Sequence, residues 1–194
     1  MKTDKLKKCF KIKWLIRSLM LITVISAFLS SNSLAKTAKE IDASVDAAIE
    51  RFYKQVKGAQ EFVQKSKGML VMPNVVKGAF IIGGEYGEGA LRIRGKTVDY
   101  YNTVSGSIGL QIGGQAKDII ILFMTEEALN KFRKSEGWEA GVDGNVALIN
   151  VGAGGRADTT TLKDPIVAFV FDAKGLIADI SLKGAKFSKV DKKE

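Results

Sequence analysis

GGEYGEGALRIRGKT, residues 83–97, holds five glycines and ends in Gly95-Lys96-Thr97. A phosphate-cradling P-loop needs G-x-x-x-x-G-K-[ST], so that backbone N–H groups converge on the anion and the lysine reaches the outer phosphates. Counting back from Gly95, the first glycine belongs at position 90, where the chain has Ala90. A P-loop also leads into a helix, whereas TVDYYNT after the turn is rich in strand-favouring residues. The segment therefore reads as a β-hairpin. A two-residue turn at Gly95-Lys96 sets Ile93 against Val98, Arg92 against Asp99 and Leu91 against Tyr100.

Around this hairpin the period of the apolar residues changes twice. From Lys36 to Lys57, Ile41, Val45, Ala48, Ile49, Phe52 and Val56 recur at three- and four-residue spacing and form one helical stripe. Gly58 ends or bends that helix, and residues 59–67 suit a second, short one. From Gly68 the pattern is that of strands: MLVMP, with a turn at Pro73-Asn74, then VVKGAFIIGGEYGEG, the hairpin, SGSIGLQIGG and DIIILFM. One helix interrupts them, EEALNKFRKS, with Thr125 as its cap, two glutamates in its first turn and Gly137 after its last. NVALINV then reads as a strand, GAGGRADTTTLKDP as a long polar loop, and IVAFVFDAKGLIADISL as a hairpin turning at Ala173-Lys174-Gly175, before AKFSKV and a charged tail. Glycines inside strands mark sharp bends or close backbone approach. The expected class is α+β: a curved, barrel-like antiparallel sheet with N-terminal amphipathic helices and one inserted helix.

The formal net charge is +9, but its distribution matters more than its size. Residues 1–35 carry seven basic side chains against Asp4 alone, then the apolar run Leu19–Leu29 and the small-residue exit Ser33-Leu34-Ala35. That is the layout of a cleavable export signal, and the run is shorter than the about 20 residues a membrane span needs. Removing it leaves 23 basic and 20 acidic side chains, a net charge of +3, on a single domain over residues 36–194. The charge argument for nucleic acid is lost with the signal. Cys9 precedes the apolar run, the wrong side for a lipoprotein cysteine, and no disulfide can form within residues 36–194. The expected location is exported, periplasmic or secreted, peripheral on a membrane and not lipid-anchored.

Catalytic chemistry finds little support. The sequence has no histidine, which excludes Ser-His-Asp and Cys-His mechanisms and the usual zinc and haem ligand sets. The one S-x-x-K match, Ser33 to Lys36, is divided by signal cleavage. Glu85 and Glu88 are close in sequence, yet three residues apart on a strand they point to opposite faces. They are expected to be solvent-facing charges. Asp143-Gly144-Asn145 resembles part of a calcium loop but is followed by apolar residues, so it reads as a turn. Basic and aromatic residues do not alternate as a base-stacking platform requires. No catalytic residue, metal ligand or cofactor is expected.

Membrane contact has three candidate stretches. The helix over 36–57 is amphipathic but carries a net charge of only +1, so its stripe reads first as the cover of a sheet and second as a lipid-facing surface. Lys65, Lys67 and Lys77 follow it, and five lysines lie between 183 and 194. On one side of the molecule these would form a modest basic surface.

SKGMLVMPNVVKGAFIIGGEYGEGAL, residues 66–91, resembles the opening motif of SYLF domains: a lysine-glycine element, an apolar strand, a proline turn and a GG-x-x-G-x-G strand. GWEAGVDGNVAL and FVFDAKGLIADISLKG resemble two later blocks of the same family. The resemblance implies a lipid-binding module whose eukaryotic members add actin binding and phosphoinositide recognition. It implies that Lys36, Lys39, Arg51, Lys54 and Lys57, with Phe52 and Val56 as an apolar wedge and Lys65 and Lys67 nearby, touch phospholipid. This chain departs from relatives in its export signal, in having no partner domain, and in Ala79 and Asp179, where glycine is usual. In an envelope compartment the implied partner is phospholipid or an envelope protein rather than actin.

Overall fold

The computed structural model describes residues 36–78, 84–106, 116–150, 163–171 and 182–192. The expected export signal, residues 107–114 of the expected SGSIGLQIGG strand, the expected polar loop through 162 and turn at 173–175, and positions 79 and 179 fall outside them. All secondary-structure elements below lie in the unit Thr37–Glu194.

Helix α1, Ala38–Gln55, begins where the sequence supplies a capping box. Thr37 Oγ1 accepts the Glu40 N–H at 3.3 Å, and the Glu40 carboxylate accepts the Thr37 N–H at 2.8 Å. Gly58, at φ 85°, turns the chain into α2, Ala59–Lys65. Then come β1 (Gly68–Gly78), β2 (Gly84–Ile93), β3 (Lys96–Gly106) and β4 (Ala116–Phe123). Helix α3, Glu126–Lys134, starts on the expected cap, Thr125 Oγ1 accepting the Ala128 N–H at 3.2 Å. The chain continues through β5 (Trp138–Glu139), β6 (Ala147–Asn150), β7 (Ile166–Phe171) and β8 (Lys186–Val190).

Among the described residues these strands form one eight-stranded sheet in the order β5-β8-β3-β2-β1-β4-β7-β6, curled into a half-barrel. Its pairs are antiparallel except β6 and β7, which run parallel. The α+β class with N-terminal helices is the one the sequence indicated.

Two features differ in detail from the sequence reading. The hairpin turns at Arg94-Gly95, not Gly95-Lys96: both residues have positive φ, 51° and 78°, the type I′ geometry whose twist matches the strands. Ile93 then pairs with Lys96 and Arg92 with Thr97, and a bulge at Val98 sets Leu91 opposite Asp99. The expected Arg92–Asp99 pair does not form. Likewise Pro73-Asn74 is not a turn. It is an irregularity inside β1, where pairing with β2 lapses between Val71 and Val76, and Asn74 sits at φ 51°.

The curl gives the sheet two covered faces. One carries Leu70, Met72, Leu91, Tyr101, Phe123 and Phe187, closed by Leu129 and Phe132 of α3 and by Trp138. The other carries Val71, Ala90, Ile120, Val167, Phe169 and Phe171 and is covered by the stripe of α1 and by Phe62 of α2. Two glycines of the opening segment make the curl possible. A Cβ at Gly89 would collide with the Val71 carbonyl oxygen and stand 2.9 Å from Met72 Cα, and one at Gly87 would lie 2.7 Å from Val75 Cγ2.

Gly89→Ala, which pushes on backbone, is expected to destabilise the domain by about 3 kcal/mol or more in a urea titration. The Phe52 ring, fully buried and 4.9 Å from Phe169, fixes a second expectation: Phe52→Ser loses about 3–5 kcal/mol, as truncation of a core aromatic does. A Phe52→Ser variant with unchanged stability would place that side chain outside the core.

Candidate functional site

The nine side chains expected to touch lipid do not converge. Phe52 and Val56 are buried at 0% and 6% exposure against the sheet, so the stripe of α1 is core in this packing, not a free apolar wedge. Arg51 donates from Nε to the Asp118 carboxylate at 2.7 Å, across to β4. Lys54 and Lys65 make exposed i,i+4 pairs with Glu50 and Glu61, at 3.8 and 2.7 Å. Lys36 and Lys39 stand at the start of α1, and its 18 residues span about 27 Å, so they are remote from Lys57 at its far end. Lys57, Lys65 and Lys67 all lie on the short segment between α1 and β1, exposed.

α1 is held by ions as well as by its stripe. Asp42 accepts the Thr97 hydroxyl at 2.7 Å and the Tyr100 hydroxyl at 2.9 Å, and Asp46 accepts Arg92 Nη2 at 2.8 Å. Asp118 accepts the Asn74 N–H at 2.9 Å on its second oxygen. The helix is therefore bound to the β2–β3 hairpin at one end and to the β1 irregularity at the other.

Three further expectations change. Glu88 is not solvent-facing. It is 5% exposed, and its Oε1 accepts Lys192 Nζ at 2.7 Å and the Tyr86 hydroxyl at 2.9 Å. Glu85 pairs with Lys117 at 2.7 Å. The C-terminal lysines are not a free basic tail either: Lys189 pairs with buried Asp99, which also accepts Arg133 Nε at 3.2 Å, and Lys192 holds Glu88. Asp143 does sit in a turn, its carboxylate accepting the Glu139 N–H at 2.7 Å.

A groove of about 740 Å³ opens where α1, α2, the start of β1, the β2–β3 turn and α3 meet. Ile49, Tyr53, Val63 and Met69 give it an apolar wall, and Lys67, Arg92, Arg94 and Arg133 bring cations to it. Of the expected residues only Lys67 lines it. Arg92, Arg94 and Arg133 escape a sequence reading because they come from a hairpin and from α3, separated by about forty positions of chain and joined only by the fold. Tyr53 did leave a signal: it is an aromatic off the buried stripe of α1, and it is 41% exposed.

Two phenols titrate late. Burial first, then the Asp99 carboxylate, pushes Tyr101 up to about 12, with Arg133 acting in the opposite direction, and its hydroxyl has no hydrogen-bond partner among the described residues. Tyr86 rises to about 12 through burial, then its hydrogen bond to Glu88 and that group's charge. Unfolded phenols ionise at 10.0, so the folded state binds more tightly the protons that the unfolded state releases. This contribution is intact below pH 10.0 and is lost as pH climbs toward about 12. Ultraviolet difference titration is expected to show Tyr101, which is buried, ionising only together with alkaline unfolding, above the 10.0 of a free phenol. Ionisation of Tyr101 near pH 10.0 in a folded domain would contradict its burial.

Comparison with known proteins agrees with the motif reading at the C-terminal side. Residues 104–194 match the family model described as Ysc84, Las17-binding protein actin regulator. The match runs from the end of β3 through β8 and includes both later blocks, GWEAGVDGNVAL and FVFDAKGLIADISLKG; α1, α2, β1 and β2 precede it. No curated protein matches the chain. The match bears out the resemblance to SYLF domains: residues 104–194, a little under half of the chain, are similar to the Ysc84, or SYLF, family.

Proposed function

We propose that this chain is a non-enzymatic phospholipid-binding module, exported to a bacterial envelope or secreted fraction and peripheral on anionic membrane. The observation that carries the reading is the groove end of the domain. Lys67 and Arg94 line an apolar groove, and Lys57 and Lys65 stand exposed on the same segment that leads to it. Membership of a family of binding domains supports a binding role over catalysis.

The mechanism follows from what is free to move. Exposed lysines attract an anionic surface over a Debye length of about 8–10 Å, each adding about 1 kcal/mol at the membrane. Tyr53 stands half-exposed at the groove, an amphipathic ring of the kind that rests among headgroups. Insertion of the α1 stripe itself would require breaking the Asp42, Asp46 and Arg51 contacts and exposing Phe52. Surface attachment is thus the first step, and any use of the stripe follows it.

A protein partner is the second reading, favoured by one observation. Val76, Tyr86 and Val104 lie side by side in register on β1, β2 and β3, exposed by 47%, 42% and 53%. The Ysc84 description names a protein-binding actin regulator, and such a row suits a protein surface.

Co-sedimentation with phosphatidylcholine vesicles, with and without phosphatidylglycerol, tests the choice. Binding to the anionic vesicles is expected to weaken with salt and to fall by roughly tenfold or more in the Lys57→Glu, Lys65→Glu double variant. Binding to neither vesicle would discard the membrane reading and leave the Val76–Tyr86–Val104 row as the surface to pursue.

A further inference from the structure

The groove has more positive charge than the fold uses. Four cations line it, Lys67, Arg92, Arg94 and Arg133, against two acids, Asp46 and Glu126. Arg92 is neutralised by Asp46 at 2.8 Å and by Asp42 at 3.4 Å, so the unmatched charge is that of Lys67, Arg94 and part of Arg133. Asp99, the partner of Arg133, is also matched by Lys189, so Arg133 is not fully neutralised. Lys67 and Arg94 have no carboxylate partner among the described residues. A second deficit sits deeper: Arg92 keeps 14% of its side chain exposed, and its buried Nε has no acceptor among the described residues. The groove is short of acceptors, which an anion supplies.

Arg94 adds an independent observation. It occupies the first position of a type I′ turn at φ 51°, where Asn, Asp or Gly is favoured and a long side chain carries backbone strain. Strain of this kind gathers at functional sites. The turn would form better with asparagine, so the arginine is explained by what its guanidinium does at the groove.

An inorganic anion alone leaves the opposite wall unexplained. Ile49, Tyr53, Val63 and Met69 offer an apolar track beside the cations, and about 740 Å³ lies within the size of small-molecule sites. We infer that the groove takes one anionic lipid molecule, its phosphate at Lys67 and Arg94 and one acyl chain along Ile49, Tyr53, Val63 and Met69. This inference rests on the membrane reading, since the bilayer is the source of the ligand, and adds to it a one-to-one site.

Titration calorimetry of the full chain with 1-oleoyl lysophosphatidate below its micelle concentration tests the site, with monoolein and inorganic phosphate as separate probes. Saturable one-to-one binding of lysophosphatidate is expected, with both other probes at least about tenfold weaker because each offers half the recognition. Arg94→Asn is expected to weaken lysophosphatidate by about tenfold while leaving thermal stability equal or raised, a pair of effects a purely structural arginine would not give. Lys67→Gln is expected to weaken it to a similar degree. Absence of saturable lysophosphatidate binding, while anionic vesicles still sediment the protein, would overturn the groove and leave surface attachment standing. Loss of both would sink both. Unchanged affinity in the Arg94→Asn, Lys67→Gln double variant, or phosphate binding as tight as lysophosphatidate, would also overturn it.

Discussion

The Asp118 carboxylate ties together the parts of this domain that most need fixing. It is 2% exposed, and it takes Arg51 Nε on one oxygen and the Asn74 N–H on the other. Burying a carboxylate is costly unless it is paired and hydrogen-bonded, and here both conditions are met by groups that have their own needs. The irregularity at Pro73-Asn74 takes an N–H out of the β1 ladder, and Asp118 on the neighbouring strand receives it. Arg51 brings the positive charge and, with it, the C-terminal half of α1. The bend in β1 and the seat of the helix are settled by one side chain.

Around that point the sheet can curl because β2 comes close to β1 at Gly87 and Gly89, where side chains would meet backbone and Val75. Curling gives two apolar faces rather than one, and each requires its own cover. α3 with Trp138 closes the first, α1 with α2 the second. This explains why Phe52, the residue that most resembles a membrane wedge on a helical wheel, packs against Phe169 and Phe171. A second face to be covered and a wedge for lipid produce the same stripe.

The same double meaning applies to charge. Lysines near the C-terminus look like a solvated tail in sequence, yet β8 enters the sheet between β5 and β3 and brings Lys189 and Lys192 to Asp99 and Glu88. Those acids, in turn, are buried because the strands around them are. Among the described residues, the cations without a carboxylate partner include Lys67 and Arg94 at the groove and Lys57 beside them in the chain. A binding surface built from these residues owes its specificity to where the neutralising pairs are not.

The sequence by itself determined the elements whose signals are local. The stripe and capping box of α1, the break at Gly58, the Thr125 cap of α3 and a hairpin near Gly95 are set by residues within a few positions of each other. It also held the family signature, since the later motif blocks sit in the segment that matches Ysc84. The tertiary structure alone decided the hairpin register: the turn closes on Arg94-Gly95 with Arg94 at positive φ, and a bulge at Val98, which has no strong local signal, shifts every pair beyond it. It alone decided that the α1 stripe is core, that Glu88 and Asp99 are buried in ion pairs, and that Lys67 meets Arg94 across a groove. Those outcomes depend on contacts between residues tens of positions apart, and burial and charge pairing are properties of such contacts, which no spacing along the chain encodes.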